Sequence, residues 1–299
     1  MNNPLWPWGL AFRRERPDIP IPGSPERCLS RRVVEDEAGV LYVLELLAPA
    51  QVPARRRMAA LTTALRAAGL ARAWDCLPAR DGGFVVSEGS VHGQLSRYVA
   101  GAPLPRPEYA RREEPGRELG HFLADMRECA ARAALPHDLP DFSLTGYAAD
   151  LLRALETSNP AVHARLAGCV RGIREFLDAE PLLPRALCHG DLHPLNVVWD
   201  GYSPASVIDW EFSGRKHELY DAATALGCMG IEDPVTFQKG AGAAMIGVLR
   251  DRGVLGADNP RWLRPAVIAG RLGWLAEWLR QGDGEMIEME LDYMELLGR

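Results

Sequence analysis

The sequence predicts an α+β protein of two lobes, a mostly antiparallel β lobe over residues 1–100 and a mostly helical lobe over residues 101–299. Three observations carry that expectation. Short runs rich in β-branched and aromatic residues, separated by turn residues, recur up to Val99. From Pro105 onward, apolar residues recur at the i, i+3, i+4, i+7 spacing of core-facing helices. A chain of 299 residues, 47% hydrophobic and 25% charged, is long and apolar enough to bury cores in two lobes.

In chain order, residues 1–27 hold six prolines with Trp6 and Trp8, and they contain no G-x-G-x-x-G, Gly23 standing alone. The two tryptophans are expected to pack rather than to bind a ligand. Cys28 to Asp36 and Val40 to Leu47 read as strands joined through Glu37-Ala38-Gly39. Pro49 and Pro53 end that segment, and a helix follows from about Ala54 to Ala68, with Leu61 and Leu65 on one face and Gly69 as its stop. Arg57 shares that face, one turn before Leu61. Gly83–Ser87 and His92–Val99 form a further antiparallel pair, and Gly101-Ala102-Pro103 marks a hinge.

Beyond the hinge, Leu119, Phe122, Leu123 and Met126 stripe a helix over residues 116–133. Further helices are predicted over 143–158, 161–178, 236–252, 261–281 and 285–297. The acidic residues of the last, Glu285, Glu288, Glu290, Asp292 and Glu295, are expected on a solvated face. Asp221 stands at the entrance of a helix starting near Ala222, where a carboxylate caps free amides and meets the positive end of the dipole.

The chemistry concentrates in Cys188-His189-Gly190-Asp191-Leu192-His193-Pro194-Leu195-Asn196, followed by Val207-Ile208-Asp209-Trp210-Glu211. Asp191 and Asn196 close a D-x-x-x-x-N spacing. Val197-Val198-Trp199 and Ala205-Ser206-Val207-Ile208 read as the arms of a hairpin with Asp200-Gly201 and Ser203-Pro204 in its turn, which folds Asp209 back toward Asn196. Two oxygen donors flanking such a turn can share hard cations, while a carboxylate just upstream accepts a proton from an attacking hydroxyl. Those are the parts of phosphoryl transfer. His189, Asp191 and His193 also spell H-x-D-x-H, a set that suits a transition metal in a hydrolase. Such a site needs further ligands, and the other five histidines stand apart.

HGDLHPLN with IDWE resembles the catalytic loop and metal-binding segment of the aminoglycoside phosphotransferase family, which includes choline-kinase-like and homoserine-kinase-like enzymes and shares the protein-kinase fold. The resemblance is specific over these motifs and looser over most of the chain. It implies a bilobal protein-kinase-like fold and transfer of the γ-phosphoryl of ATP or GTP to a hydroxyl of a small metabolite or antibiotic. Asp191 is then the catalytic base, Asn196 and Asp209 are Mg²⁺ ligands, and His189 braces the loop. Arg97, Tyr98 and Val99 fall where the chain crosses the cleft and meets the adenine, while Glu211 and Lys216 lie toward the acceptor. His193 stands where protein kinases carry the lysine of D-L-K-P-x-N; it either neutralises charge on the transferred group or bonds only to loop backbone. Leu195 departs from the family's frequent glycine.

A second departure concerns charge. Lys216 and Lys239 are the only lysines, so the strand position that the resemblance expects to present a phosphate-binding lysine holds Glu45 instead. The next helix, where the family supplies a glutamate, carries Arg55, Arg56 and Arg57. The ion pair is therefore expected with its charges exchanged, Glu45 against Arg57, or Arg56 for a register shifted by one, with the arginine also facing the phosphates. Loss of the strand lysine also admits a nucleotide-binding pseudokinase acting as a regulatory module. Retention of Asp191, Asn196 and Asp209 argues for an active kinase, because a binding module has no use for a proton acceptor.

Composition excludes other classes. Residues 1–101 carry 13 arginines against 10 acidic residues, and residues 102–299 carry 21 basic against 30 acidic ones. No basic stripe can neutralise a nucleic-acid backbone. The six cysteines, with no C-x-x-C, read as small buried hydrophobes of a reducing compartment. Arg13, Arg14 and Arg16 follow an apolar start broken by Pro4 and Pro7, unlike a secretory signal, and no apolar run approaches the roughly 18 residues of a membrane span. A cytoplasmic protein acting on a small molecule is expected. The acidic second lobe suits a cationic acceptor, whereas Arg215 and Lys216 suit an anionic or neutral one.

Overall fold

Runs of β-branched and aromatic residues in the first third of the chain build one antiparallel sheet in the order β1-β2-β3-β5-β4. Its strands are β1 (Phe12–Glu15), β2 (Ser30–Asp36), β3 (Leu41–Leu47), β4 (Val86–Glu88) and β5 (Val91–Arg97). The structure, a computed structural model, describes residues 3–21 and 28–299, and the isolated Gly23 lies outside them. Tyr42 and Leu44 of β3 pack with Leu5, Val34 and Leu95 on one face of the sheet. Leu47 packs on the other with Cys28, Val52 and Val85, and Glu45 shares that second face. Trp8 packs against the first cluster as expected. Trp6 does not: it is 61% exposed, its ring covered by the Arg80 guanidinium at 3.8 Å.

Helix α1 (Val52–Ala67) follows β3 through a short 3-10 turn. Its first turn packs Val52 against the sheet, and its second half sends Leu61 and Leu65 into the large core of the helical lobe. It therefore joins the two halves of the chain. At the hinge, Ala102 N–H donates to the Trp199 carbonyl at 2.9 Å. A Cβ on Gly101 would come within 2.5 Å of that same carbonyl oxygen, so only glycine permits this approach.

The helical lobe comprises α2 (Glu113–Ala130), α3 (Leu144–Ser158), α4 (Pro160–Gly172), α5 (Arg174–Ala179), α6 (Tyr220–Glu232), α7 (Ala241–Asp251), α8 (Pro260–Gln281) and α9 (Gly284–Gly298). Two small ladders sit within it: β6 (Arg185–Cys188) pairs with β9 (Gly214–His217), and β7 (Val197–Asp200) pairs with β8 (Ser203–Val207). The single helix expected over 161–178 is broken. Gly172 weakens it and Ile173, only 3% exposed, turns into the core at φ −113°. The acidic face of α9 is also not uniformly solvated. Glu290 is fully buried in a two-pronged pair with Arg271 at 2.5 and 2.6 Å, and Arg165 gathers Glu288, Asp292 and Glu295. All six cysteines are free, four of them buried, and no described helix is long and apolar enough to cross a membrane.

Candidate active site

The loop after β6 is shaped by what its backbone donates to. His189 and Gly190 N–H groups both point at the Asp221 carboxylate, at 2.7 and 2.8 Å. Asp221 thus caps amides as expected, but those of a loop some thirty residues upstream rather than those of α6. Burial pushes its pKa up to about 6, against the two amides, which favour the anion. Gly190 holds φ +89°, and a Cβ there would meet the Phe212 carbonyl oxygen at 2.0 Å. No other residue fits this turn.

His189 is fully buried against Trp210, ring centroids 4.6 Å apart. Its Nδ1 accepts from Asp191 N–H at 3.2 Å, and its Nε2 donates to the Ile208 carbonyl at 2.8 Å. Burial lowers its pKa to about 4, so the ring is neutral and spans from the loop to the strand before Asp209. Both nitrogens are spent within the fold, which removes His189 from an H-x-D-x-H metal site. No group of three or more His, Cys, Asp or Glu residues suited to a metal exists among the described residues.

Asp191 faces a cavity of 930 Å³. Asn196 Nδ2 donates to its main-chain oxygen at 2.8 Å and to its carboxylate at 2.9 Å. His193 Nε2 stands 3.6 Å from the other carboxylate oxygen, while its Nδ1 accepts from Leu195 N–H at 3.3 Å. The backbone bond expected of His193 is therefore present on one nitrogen, while the other faces the Asp191 carboxylate, and His193 does not line the cavity. Burial raises the Asp191 pKa, but the His193, His189 and Asn196 contacts outweigh it and hold the carboxyl below its usual range. Leu195 is half exposed, and its φ is not positive, so the loop needs no glycine there.

The hairpin closes as the spacing required. Val197 pairs with Val207, and Ile208 N–H donates to the Asn196 carbonyl at 2.9 Å, which brings Asp209 next to Asn196. Asp209 takes φ 69°, ψ 54°, the one described non-glycine residue in the left-handed region. Such a conformation costs on the order of 1 kcal/mol and is concentrated at functional sites. A carboxamide oxygen and a carboxylate are hard donors. They fit Mg²⁺, which keeps several waters and takes only one or two protein oxygens beside its phosphates.

The exchanged ion pair exists, but with a different arginine. Glu45, 4% exposed, pairs with Arg55 at 3.2 Å and with its cross-strand neighbour Arg31 at 2.7 Å. Arg55 also reaches Glu211 at 3.3 Å. Arg57 turns away to Asp138 at 3.5 Å, and Arg56 is exposed. Arg55 follows the spacing of the buried Met58, Ala59, Thr62 and Leu65, the signal that could have singled it out. Arg97 pairs with Asp75, and the amides of Arg97 and Tyr98 donate to the Asp75 and Leu41 carbonyls. None of Arg97, Tyr98 and Val99 lines the cavity, whereas Arg55, Glu211 and Lys216 do. The cavity's aromatic walls, Phe142, Tyr147, Tyr220, Trp274 and Trp278, were not singled out by the sequence.

Residues 30–280 match the model of the phosphotransferase enzyme family, APH. The chain belongs to that family. Its solved structural neighbours give this phosphotransferase a bilobal protein-kinase-like α+β fold. A microcompartment-associated aminopropanol kinase aligns with TM-score 0.66 at 19% identity, over 98% of this chain and 93% of the other. An aminoglycoside phosphotransferase from Alicyclobacillus acidocaldarius aligns with TM-score 0.62 at 16% identity, over 98% and 93%. In sequence, the homoserine kinase of Rhizobium etli is 29% identical over 231 residues, 74% of this chain and 70% of that protein. The homoserine kinase of Beijerinckia indica is 28% identical over 198 residues, and the match spans 61% of its length. The phosphotransferase is a small-molecule kinase with an alcohol acceptor.

Proposed function

We propose that this phosphotransferase moves the γ-phosphoryl of ATP or GTP onto a hydroxyl of a small metabolite, with Asp191 as base and Asn196 and Asp209 as the Mg²⁺ ligands. The observation that carries the reading is the Asp191 carboxylate, anionic and facing the cavity, held by the amide of Asn196 while the hairpin returns Asp209 to the same place. Asp191 takes the hydroxyl proton, the hydroxyl oxygen bonds to the γ-phosphorus, and the bond to the β-phosphate oxygen breaks with its electrons leaving on the nucleoside diphosphate. The metal, when bound, neutralises charge on the β- and γ-phosphates. Most of the rate then comes from positioning, which His189, Asp221 and Asn196 provide by locking the loop. Adenine or guanine seats against the crossing at Arg97–Val99, between lobes 1–100 and 101–299. Glu45 acts indirectly, by orienting Arg55 toward the phosphates. Glu211 and Lys216 face the acceptor and His193 acts on it through Asp191, and the curated relatives' name makes a hydroxy amino acid the first acceptor to try.

The experiment compares Asp191→Asn with Asp209→Asn. Asp191→Asn should lower kcat by at least roughly 100-fold and leave Mg²⁺-nucleotide affinity near the parent's, because it removes a contact made to the acceptor proton. Asp209→Asn should weaken nucleotide binding in calorimetry. Both variants binding Mg²⁺-ATP and Mg²⁺-GTP as the parent does, with turnover unchanged, would refute the assignment.

A further inference from the structure

Lys216 is one of two lysines in the chain and stands in the middle of β9, opposite Ala186 of β6. It is 5% exposed, yet its ammonium forms no hydrogen bond and no ion pair among the described residues. Instead, Nζ lies over two aromatic faces, 4.3 Å from the Phe142 ring centre and 4.7 Å from that of Tyr220. The side chain lines the 930 Å³ cavity together with Asp191, and a Cβ on Gly190 would lie 2.9 Å from Lys216 Cε. The ammonium is therefore beside the catalytic loop, with its open side toward the cavity.

Burying an ammonium without an anion is unfavourable, and aromatic faces return only part of the loss of hydration. Burial accordingly lowers the Lys216 pKa, opposed by the fields of Asp221 and Asp191, neither of which comes within ion-pair distance. A group that remains charged in such a place is completed by an anion from outside. Two anions could enter: the transferred phosphoryl and an acidic group on the acceptor. Position separates them. Arg55, the phosphate-facing cation, lines the cavity from α1 with Gln51, Ala54 and Met58, whereas Lys216 lines it from β9 among aromatic side chains, and Asn196 and Asp209 do not line it. The flanking Phe142 and Tyr220 line the cavity too, as do Tyr147, whose ring centre is 5.8 Å from that of Phe142, and Trp274.

We propose that Lys216 is the specificity-determining residue of the acceptor cavity, holding a carboxylate of a short hydroxy acid or hydroxy amino acid whose hydroxyl reaches Asp191. The proposal rests on the phosphotransferase reading for the hydroxyl's position, but the binding of the carboxylate can be read without turnover. It divides this chain from kinases of purely cationic amino alcohols. A fixed ammonium at the cavity wall repels their amines and attracts the carboxylate.

Calorimetry on the full chain tests this with three probes: L-homoserine, 4-hydroxybutyrate, which lacks the amine, and 3-aminopropan-1-ol, which lacks the carboxylate. The parent should prefer the two carboxylates over the amino alcohol, and Lys216→Met should reduce that preference roughly 10- to 100-fold, the weight of one charge-assisted contact. Lys216→Arg should restore part of it, and Lys216→Gln provides a second neutral variant should the methionine variant fold poorly. A cation that merely balances buried Asp221, or one that acts on the phosphoryl, would change affinity or turnover for all three probes alike. An unchanged preference in both neutral variants, or a parent that does not prefer carboxylates, overturns the proposal. Carboxylate preference lost with Lys216 in a chain that transfers no phosphoryl would uphold it and instead defeat the proposed function.

Discussion

Replacing Arg55 should expose how far the exchanged ion pair holds the sheet to the helical lobe. Arg55 Nη1 stands 3.2 Å from the Glu45 carboxylate, and both side chains are at most 7% exposed. At that distance and an effective dielectric near 20, two full charges attract by about 5 kcal/mol. Glu45 is also paired with Arg31, and Arg55 with Glu211, so each keeps a partner when the other is removed. The net coupling should therefore fall to about 2 kcal/mol, within the roughly 0.5–3 kcal/mol found for contacting residues. Arg55→Met alone should destabilise by about 3 kcal/mol, the low end for a broken buried pair. Urea unfolding of the parent, Arg55→Met, Glu45→Gln and the double variant measures the coupling. A parallel cycle of Glu45→Gln with Arg57→Met should give nearly none, since Arg57 pairs with Asp138 on the surface. Additive losses in the first cycle, or coupling confined to the second, would refute the Arg55 assignment. In the same variants the nucleotide KM should rise with loss of Arg55 and not with loss of Arg57.

Two further expectations test the loop and the core. Gly190→Ala should lower kcat by at least roughly 100-fold, because the added Cβ collides with Phe212 O and displaces Asp191, and an angstrom of misplacement suffices for that loss; steady-state kinetics at parent-like stability checks it. His217 is buried against Phe176 and Tyr220 with both ring nitrogens unpartnered, and burial lowers its pKa to about 4. The unfolded chain binds this proton near 6.5 and the folded one only near 4, so the stability from the neutral ring is full above 6.5 and lost as pH falls toward 4. His217→Leu should flatten that acid limb by up to about 3 kcal/mol, read from denaturant midpoints between pH 7 and 4; an unchanged limb would show that other groups carry it.

What the sequence determined by itself was whatever depends on neighbours in the chain. The β-branched and aromatic runs in Ser30–Asp36 and Leu41–Leu47, the helix spacing of Leu119 to Met126, and the turn residues between Val197 and Val207 each set a local geometry. The hairpin's register then follows from its turn, so the return of Asp209 toward Asn196 is legible in the sequence. Rotation of one element against another was decided only by tertiary packing. Helix α1 answers to two cores, Val52 to the sheet and Leu61 with Leu65 to the helical lobe, so its buried stripe is wide and Arg55 rather than Arg57 meets Glu45. Asp221 looked like a cap for its own helix, yet the amides it holds belong to His189 and Gly190, brought there by the pairing of β6 with β9. The cavity joins Phe142 before α3, Lys216 on β9 and Trp274 on α8. No local rule links those segments. They meet because Phe142 and α8 pack against the same core while β9 is held by its pairing with β6, and the charged and aromatic side chains left over line the cavity.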